Sequence, residues 1–426
     1  MKSTLLLLLL TVVYTVHASQ NSTNATLYKR DPSMAEQVRI AEMSRKDPVK
    51  AAKMALEIDG IMKRHQHIWL KNNNVSGTGD DAQVPWGRGA YFSPNPIAIG
   101  TAETGYATLP LFFSNIKLDR STVVKEVNGT KGKLPLYVTN KYDPSKIKRV
   151  MIVLSGNWRG PWRYINMLDN AHRVAMKYPE LNVNEGEVFM MSPVFFSQKD
   201  KWALKKDEVH FEDAGWSVGG TVRSPRELKH MSSFEILDKL AEMGLDKSKF
   251  PNVEKVVFVG HSIGGQTILR YSLLKRPKKY DNKIKYWIGD PGAVTYFDDW
   301  RPVKNDSCKT FNNWPYGLGD QKSIPLYNRK RSGNNGAELI KGFDSRVIRF
   351  AFAVNDNGHG NMHCQAMMQG PNRIARNSQW VAHRGDNWPS THTVDYAPGV
   401  SHQDYVMMAY YYSLKFIFSE DDRQFK

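Results

Sequence analysis

Val256-Val257-Phe258-Val259-Gly260-His261-Ser262-Ile263-Gly264-Gly265-Gln266-Thr267-Ile268-Leu269-Arg270-Tyr271 is the stretch that decides the architecture. Its first four residues are an apolar run of the kind that makes a buried strand, and the residues from Gln266 read as a helix. Between them lies G-x-S-x-G, and strand, sharp turn, helix is the context that gives this pattern a meaning. A nucleophile on so tight a turn takes a strained backbone conformation, so the residues two positions to either side must be small. Gly260 and Gly264 meet that demand, and Gly265 extends the small patch. The helix beginning after Ser262 adds backbone N–H groups and a positive dipole end, both favourable to a developing oxyanion. Ser262 is the candidate nucleophile. The alternative is a structural glycine-rich turn.

A serine hydroxyl is a weak nucleophile at neutral pH and needs a base, itself oriented by a third group. On a sheet of this kind the chain order is Ser, then acid, then His. The strand Val347–Val354 runs into Asn355-Asp356-Asn357-Gly358, a polar turn that makes Asp356 the candidate acid. Asp290, in Gly289-Asp290-Pro291-Gly292 after the preceding strand, is the alternative acid. His402 follows Pro398-Gly399-Val400-Ser401, between the last strand and the last helix, where a loop can bring its ring over the nucleophile. It is the candidate base. His383 and His392 read as loop or strand histidines, and His261 as a packing residue. His359 and His363 have a metal-ligand spacing, but the glycines at 358 and 360 argue against a helix there, so no metal is expected. Two donors must face the tetrahedral intermediate. The N–H of Ile263 is one, and Gly156 in Ser155-Gly156-Asn157-Trp158-Arg159-Gly160 permits the turn that aims that of Asn157, or alternatively Trp158, as the other. Trp158, Arg159 and Trp162 are then expected to rim the pocket, with a surface stack of Arg on Trp as the alternative.

Elsewhere the chain alternates strands and helices. Apolar strands are expected at 109–113, 134–138, 150–154, 188–191, 284–288 and 393–396, with helices at 164–177, 234–243 and 404–418. This order predicts an α/β protein with a mostly parallel sheet covered by helices on both faces. Residues 32–69 have a one-sided apolar face and are divided by Asp47-Pro48, so a helical pair is expected there. The expected organisation is a leader at 1–18, a polar lead and helical extension at 19–104, and a main domain at 105–426. Insert loops are expected near 195–230 and 292–345.

The compartment is read from the N-terminus. Lys2 precedes an uncharged, mostly apolar run from Leu5 to Val16, and Val16-His17-Ala18 supplies small residues for cleavage, as in a secretory signal peptide. Sequons at Asn21, Asn24, Asn74, Asn128 and Asn305 are candidate glycosylation sites. The 2 cysteines, Cys308 and Cys364, are expected to form one bridge in an oxidising compartment. The 426 residues carry 59 Lys and Arg against 42 Asp and Glu, a formal charge of +17 that would attract anionic surfaces or substrates. No nucleic-acid motif is present, and no segment after the leader is long and apolar enough for stable membrane insertion.

The elbow, the acid turn and the late Gly-Val-Ser-His resemble the α/β-hydrolase superfamily over roughly residues 105–420. Gly260–Gln266, Cys364–Arg373 and Pro398–His402 together are similar to a group of exported fungal and bacterial α/β-hydrolases. The resemblance implies the α/β-hydrolase fold, the triad and a hydrolase without a cofactor. It implies no particular ester. The expected protein is a secreted serine hydrolase acting on a small or polymeric carboxylic ester. A serine peptidase is one alternative; a non-catalytic lipid- or polymer-binding protein on the same fold is the other.

Overall fold

The computed structural model describes residues 33–58, 84–333 and 336–419. The expected leader and the sequons at Asn21, Asn24 and Asn74 lie outside these residues; Asn128, at a hairpin tip, and Asn305 are exposed.

The strand that precedes Ser262 is an interior strand, fourth from one edge, of a nine-stranded sheet. In chain order the strands are β1 Phe112–Phe113, β2 Ile116–Asp119, β3 Leu136–Thr139, β4 Arg149–Leu154, β5 Val188–Pro193, β6 Lys255–His261, β7 Ile284–Gly289, β8 Val347–Ala353 and β9 His392–Ala397. They lie in the order β9-β8-β7-β6-β4-β5-β3-β2-β1. From β9 to β5 every pairing is parallel, and β3, β2 and β1 complete the sheet antiparallel. This is the α/β-hydrolase fold.

Continuous apolar runs make these strands because both faces are covered. Along β6, Val256 and Phe258 enter one core while Val257 and Val259 enter the other. β4 divides likewise, with Val150, Ile152 and Leu154 on the first face and Met151 and Val153 on the second. The helices in chain order are α1 Met34–Ser44, α2 Pro48–Glu57, α3 Pro161–Ala175, α4 Ser233–Gly244, α5 Ile263–Leu274, α6 Ala337–Asp344, α7 Cys364–Met367, α8 Arg373–Arg384 and α9 Asp404–Met408. α1, α2, α4, α5, α6 and α8 cover the first face, and α3 and the C-terminal segment the second. α4 opens on a reciprocal capping box between Ser232 and Glu235.

The expected division at Asp47-Pro48 is present: the Asp47 carboxylate caps α2 and Pro48 takes its first turn, where no N–H is needed. The single helix expected over 404–418 is instead α9, a further short α-helix at Tyr411–Leu414 and a π turn at Lys415–Ser419. Among the described residues, no helix is long and apolar enough to cross a membrane.

The chain reverses its direction of travel across the sheet at β4: β5 is added on one side of it, β6 on the other. At such a switch point the loops leaving the two central strands part and open a crevice at their C-terminal ends. The loop after β4 and the elbow after β6 therefore face each other.

Candidate active site

β6 ends at His261 and α5 starts at Ile263, which leaves Ser262 alone to make the turn, at φ 59° and ψ −122°. A side-chain-bearing residue held there costs roughly 1–3 kcal/mol and persists only where neighbours enforce it. The Ser262 N–H donates to the Gly289 carbonyl at 2.9 Å, and its carbonyl accepts the Gln266 N–H at 2.9 Å. The glycines are needed for approach. A Cβ on Gly260 would lie 2.5 Å from the Gly264 carbonyl carbon, and one on Gly264 would lie 2.5 Å from the Leu154 oxygen.

β8 and β9 bring the other two candidates together. Past β8 the chain turns so that Asp356 is fully buried, and its Oδ2 is 2.7 Å from His402 Nδ1. Arg373, the first residue of α8, donates from Nη1 to Asp356 Oδ1 at 2.9 Å. The acid turn and the histidine loop are also tied by their backbones, Asn355 N–H to Val400 O at 2.9 Å. With Nδ1 committed, Nε2 is the His402 nitrogen left for proton transfer. Burial pushes the Asp356 carboxyl up, but His402 and the Arg373 guanidinium outweigh it and pull it down to about 2. Burial lowers His402 below the usual imidazole range, Asp356 opposes that, and His261 and Arg373 add to it. The site thus favours a neutral His402 and an ionised Asp356.

Beneath this pair lies a second one. The His261 ring, one residue before Ser262, is 4.5 Å from the His402 ring, centroid to centroid. Its Nε2 is 3.5 Å from Asp290 Oδ2, with both side chains inaccessible to solvent. Asp290 Oδ1 accepts the Ala353 N–H at 2.8 Å, whereas Oδ2 has no hydrogen bond. Burial and the nearby Asp356 raise the Asp290 carboxyl well above its ordinary range, and burial lowers His261 to about 4. Burial thus disfavours charge on both members. Among the described residues, His261, Asp290 and His402 are the one group of three that offers ligand atoms within 4.8 Å of one another. His402 could join such a group only through Nε2, the atom that proton transfer requires.

A cavity of about 200 Å³ lies between the facing loops, lined by residues including Asn157, Trp158, Arg159, Trp216 and Ile263. The two candidate oxyanion donors therefore share one cavity. Gly156 is required there, since a Cβ would sit 2.2 Å from the Tyr164 hydroxyl. Trp158 is 45% exposed at the mouth. Arg159 lines the cavity, but its guanidinium is ion-paired with buried Asp200 and donates to the Ala102 carbonyl at 2.9 Å. Trp162 corrects the sequence expectation: it is 3% exposed and packs edge-on against Tyr106 and Tyr137. It points into the core from the first turn of α3, so it supports the loop and does not rim the cavity.

Two residues close to the site went unread in the sequence. Arg373 stood inside a quoted motif without a role, and Tyr106, whose hydroxyl donates to the Trp158 carbonyl, lies in an unexpected hairpin, Ile99–Thr101 with Gly105–Thr108. Cys308 and Cys364 form the expected disulfide, with Cα atoms 5.8 Å apart.

No protein-family profile matches the chain, and no curated protein matches it. Among solved structures it is similar to LpqC, a poly(3-hydroxybutyrate) depolymerase from Bordetella parapertussis, at 17% identity and a TM-score of 0.47, over 73% of this chain and 92% of that one. It is also similar to poly(aspartic acid) hydrolase-1 from Sphingomonas sp. KT-1, at 19% identity and a TM-score of 0.42, over 67% of this chain and 94% of that one. Siderophore hydrolase EstB from Aspergillus nidulans shares 12% identity at a TM-score of 0.38, over 72% of this chain and 95% of that one. Likeness at this level says nothing of substrate.

Proposed function

We propose that the chain is an exported serine hydrolase of carboxylic esters. The observation that carries this reading is a His402–Asp356 pair, 2.7 Å between partners, whose imidazole lies 4.5 Å, centroid to centroid, from the ring of the residue next to a strained elbow serine. In this reading Ser262 Oγ attacks the ester carbonyl while His402 Nε2 takes its proton, and Asp356 stabilises the imidazolium. The N–H groups of Ile263 and Asn157 hold the oxyanion. Collapse of the tetrahedral intermediate breaks the ester C–O bond, and His402 returns the proton to the leaving alcohol. Water, deprotonated by His402, then adds to the acyl-enzyme, and the acid leaves as Ser262 regains its proton. The machinery needs no cofactor.

The cavity of about 200 Å³ is smaller than the roughly 300–1,000 Å³ of sites that enclose a whole ligand. It takes a compact acyl or alcohol group, and the remainder of the substrate lies across the mouth beside Trp158. Export is supported by the leader-like N-terminus and the disulfide. The test is purified Ser262→Ala protein with a p-nitrophenyl ester, together with fluorophosphonate labelling of the unaltered enzyme. Loss of turnover on the order of 10⁵-fold and label on Ser262 are expected. Unchanged turnover would sink the assignment.

A further inference from the structure

We propose that the N-terminal helical pair is a working part of the site, with Gln37 of α1 as a positioning residue for His402. The inference rests on reading His402 as the base. Gln37 is fully buried, and its Oε1 accepts the Gly399 N–H at 2.7 Å across 362 residues of chain. Gly399 takes φ 71° in the turn that leaves β9 and leads to His402. A left-handed turn aims its N–H away from the sheet ladder, so that donor needs a partner from outside. α1 supplies it. On its other side the same turn is held by the acid segment, through Asn355 N–H and Val400 O at 2.9 Å. The His402 loop is thus gripped from two directions, and one grip belongs to the N-terminal extension.

α2 serves the other half of the pair. Ala51, Ala52 and Ala55 form its buried face and allow close packing on α8, whose first residue is the Arg373 that binds Asp356. The helical pair therefore backs both the loop of the base and the helix that supplies the acid's cation. Core filling alone does not account for this. A buried glutamine is a costly way to fill space, and one whose side-chain oxygen holds the N–H of a left-handed turn acts as a tether.

Gln37→Met keeps size and removes the acceptor oxygen, while Gln37→Glu keeps an acceptor. With p-nitrophenyl ester as substrate, Gln37→Met should lower kcat on the order of tenfold with KM changed less than about twofold, because the ring is misplaced and binding is not. Amide exchange over residues 397–402 should quicken in that variant while the central strands stay protected. Gln37→Glu should restore kcat. Unchanged kcat and unchanged exchange in Gln37→Met would overturn the proposal, as would a fall in melting temperature with kcat intact. Should Gln37→Met not fold, Gln37→Glu decides: folded with kcat retained supports the tether, folded with kcat lost refutes it. Ser262→Ala in the same assay separates the two readings. Turnover surviving in that variant removes the triad and this inference together, whereas a dead Ser262→Ala beside an unaffected Gln37→Met removes this inference alone.

Discussion

Two histidine–aspartate pairs sit one above the other in this protein, and only one is built to carry charge. In the upper pair, His402 and Asp356 are 2.7 Å apart, Arg373 donates to the second carboxylate oxygen, and the imidazole is 23% exposed. In the lower pair, His261 and Asp290 are 3.5 Å apart, closed off from solvent, and the second carboxylate oxygen has no donor. A buried carboxylate stays ionised only when donors and cations replace its water. Asp356 has both. Asp290 has one backbone N–H, and a second negative charge beside Asp356 would meet repulsion as well as desolvation. Like residues in like positions at neighbouring strand ends thus divide into a pair equipped to hold charge and a pair that disfavours it. The guanidinium at the start of α8 is what separates them.

The largest expected effect breaks the comparison directly. Asp356→Asn should lower kcat on the order of 10⁴-fold, since an amide cannot stabilise the imidazolium and favours the wrong tautomer. Asp290→Asn replaces one neutral group by another of the same shape and keeps an oxygen for the Ala353 N–H. Its kcat should stay within a few-fold of the unaltered enzyme. The reverse result would make Asp290 the acid, and equal losses would erase the division between the pairs.

Removing the guanidinium is the next largest. Arg373 holds both His402 and Asp356 down. In the proposed mechanism the base works only when neutral, so activity should disappear as pH falls through the folded His402 pKa. Arg373→Gln should raise that pKa and move the acid limb of kcat/KM to higher pH, with kcat down by about tenfold. Asp290→Asn should leave the limb in place, because no charge is lost. A limb that moves with Asp290→Asn and stays with Arg373→Gln would show that the ionised group is the lower one.

What the sequence made legible follows from which parts of the site are periodic and local. The elbow, the acid turn and the His402 loop each sit at the end of an apolar strand, so strand order alone put Ser262, Asp356 and His402 at one sheet edge. α8 went unread although Ile374, Trp380 and Val381 of its buried face enter the core; the other half of that face is polar. Arg376, Asn377 and Ser378 are fully buried there, bonded to the Gly370 and Gly292 carbonyls, the Pro291 carbonyl and the Tyr396 hydroxyl. Arg373, its first residue, was lost with it. Gln37 has a partner 362 residues away, which no spacing reveals. Trp162 was misjudged because its nearness to Trp158 in sequence hides the change of direction where α3 begins.

The smallest expected effect concerns the disulfide, which touches the upper pair and spares the lower. Cys364 opens α7, eight residues beyond Asp356, and its bridge closes a separation of 56 residues back to Cys308. Loop entropy for that span amounts to about 4 kcal/mol before native strain. Non-covalent ties duplicate the link, however. Gln369 exchanges two hydrogen bonds with the backbone of Val294, at 2.9 and 2.8 Å, Gln365 donates to Thr310 at 2.8 Å, and Asn361 donates to the Tyr316 hydroxyl at 2.8 Å. Reduction under native conditions should therefore leave the two segments docked, lower the melting temperature, and cost kcat only a few-fold, through a looser Asp356 turn. The loss of kcat should precede global unfolding as reductant is raised, and it should be absent in the Asp356→Asn background, where the turn no longer supports the base. A decline in activity that follows the unfolding curve point for point would mean that the bridge stabilises the fold and has no hold on the acid.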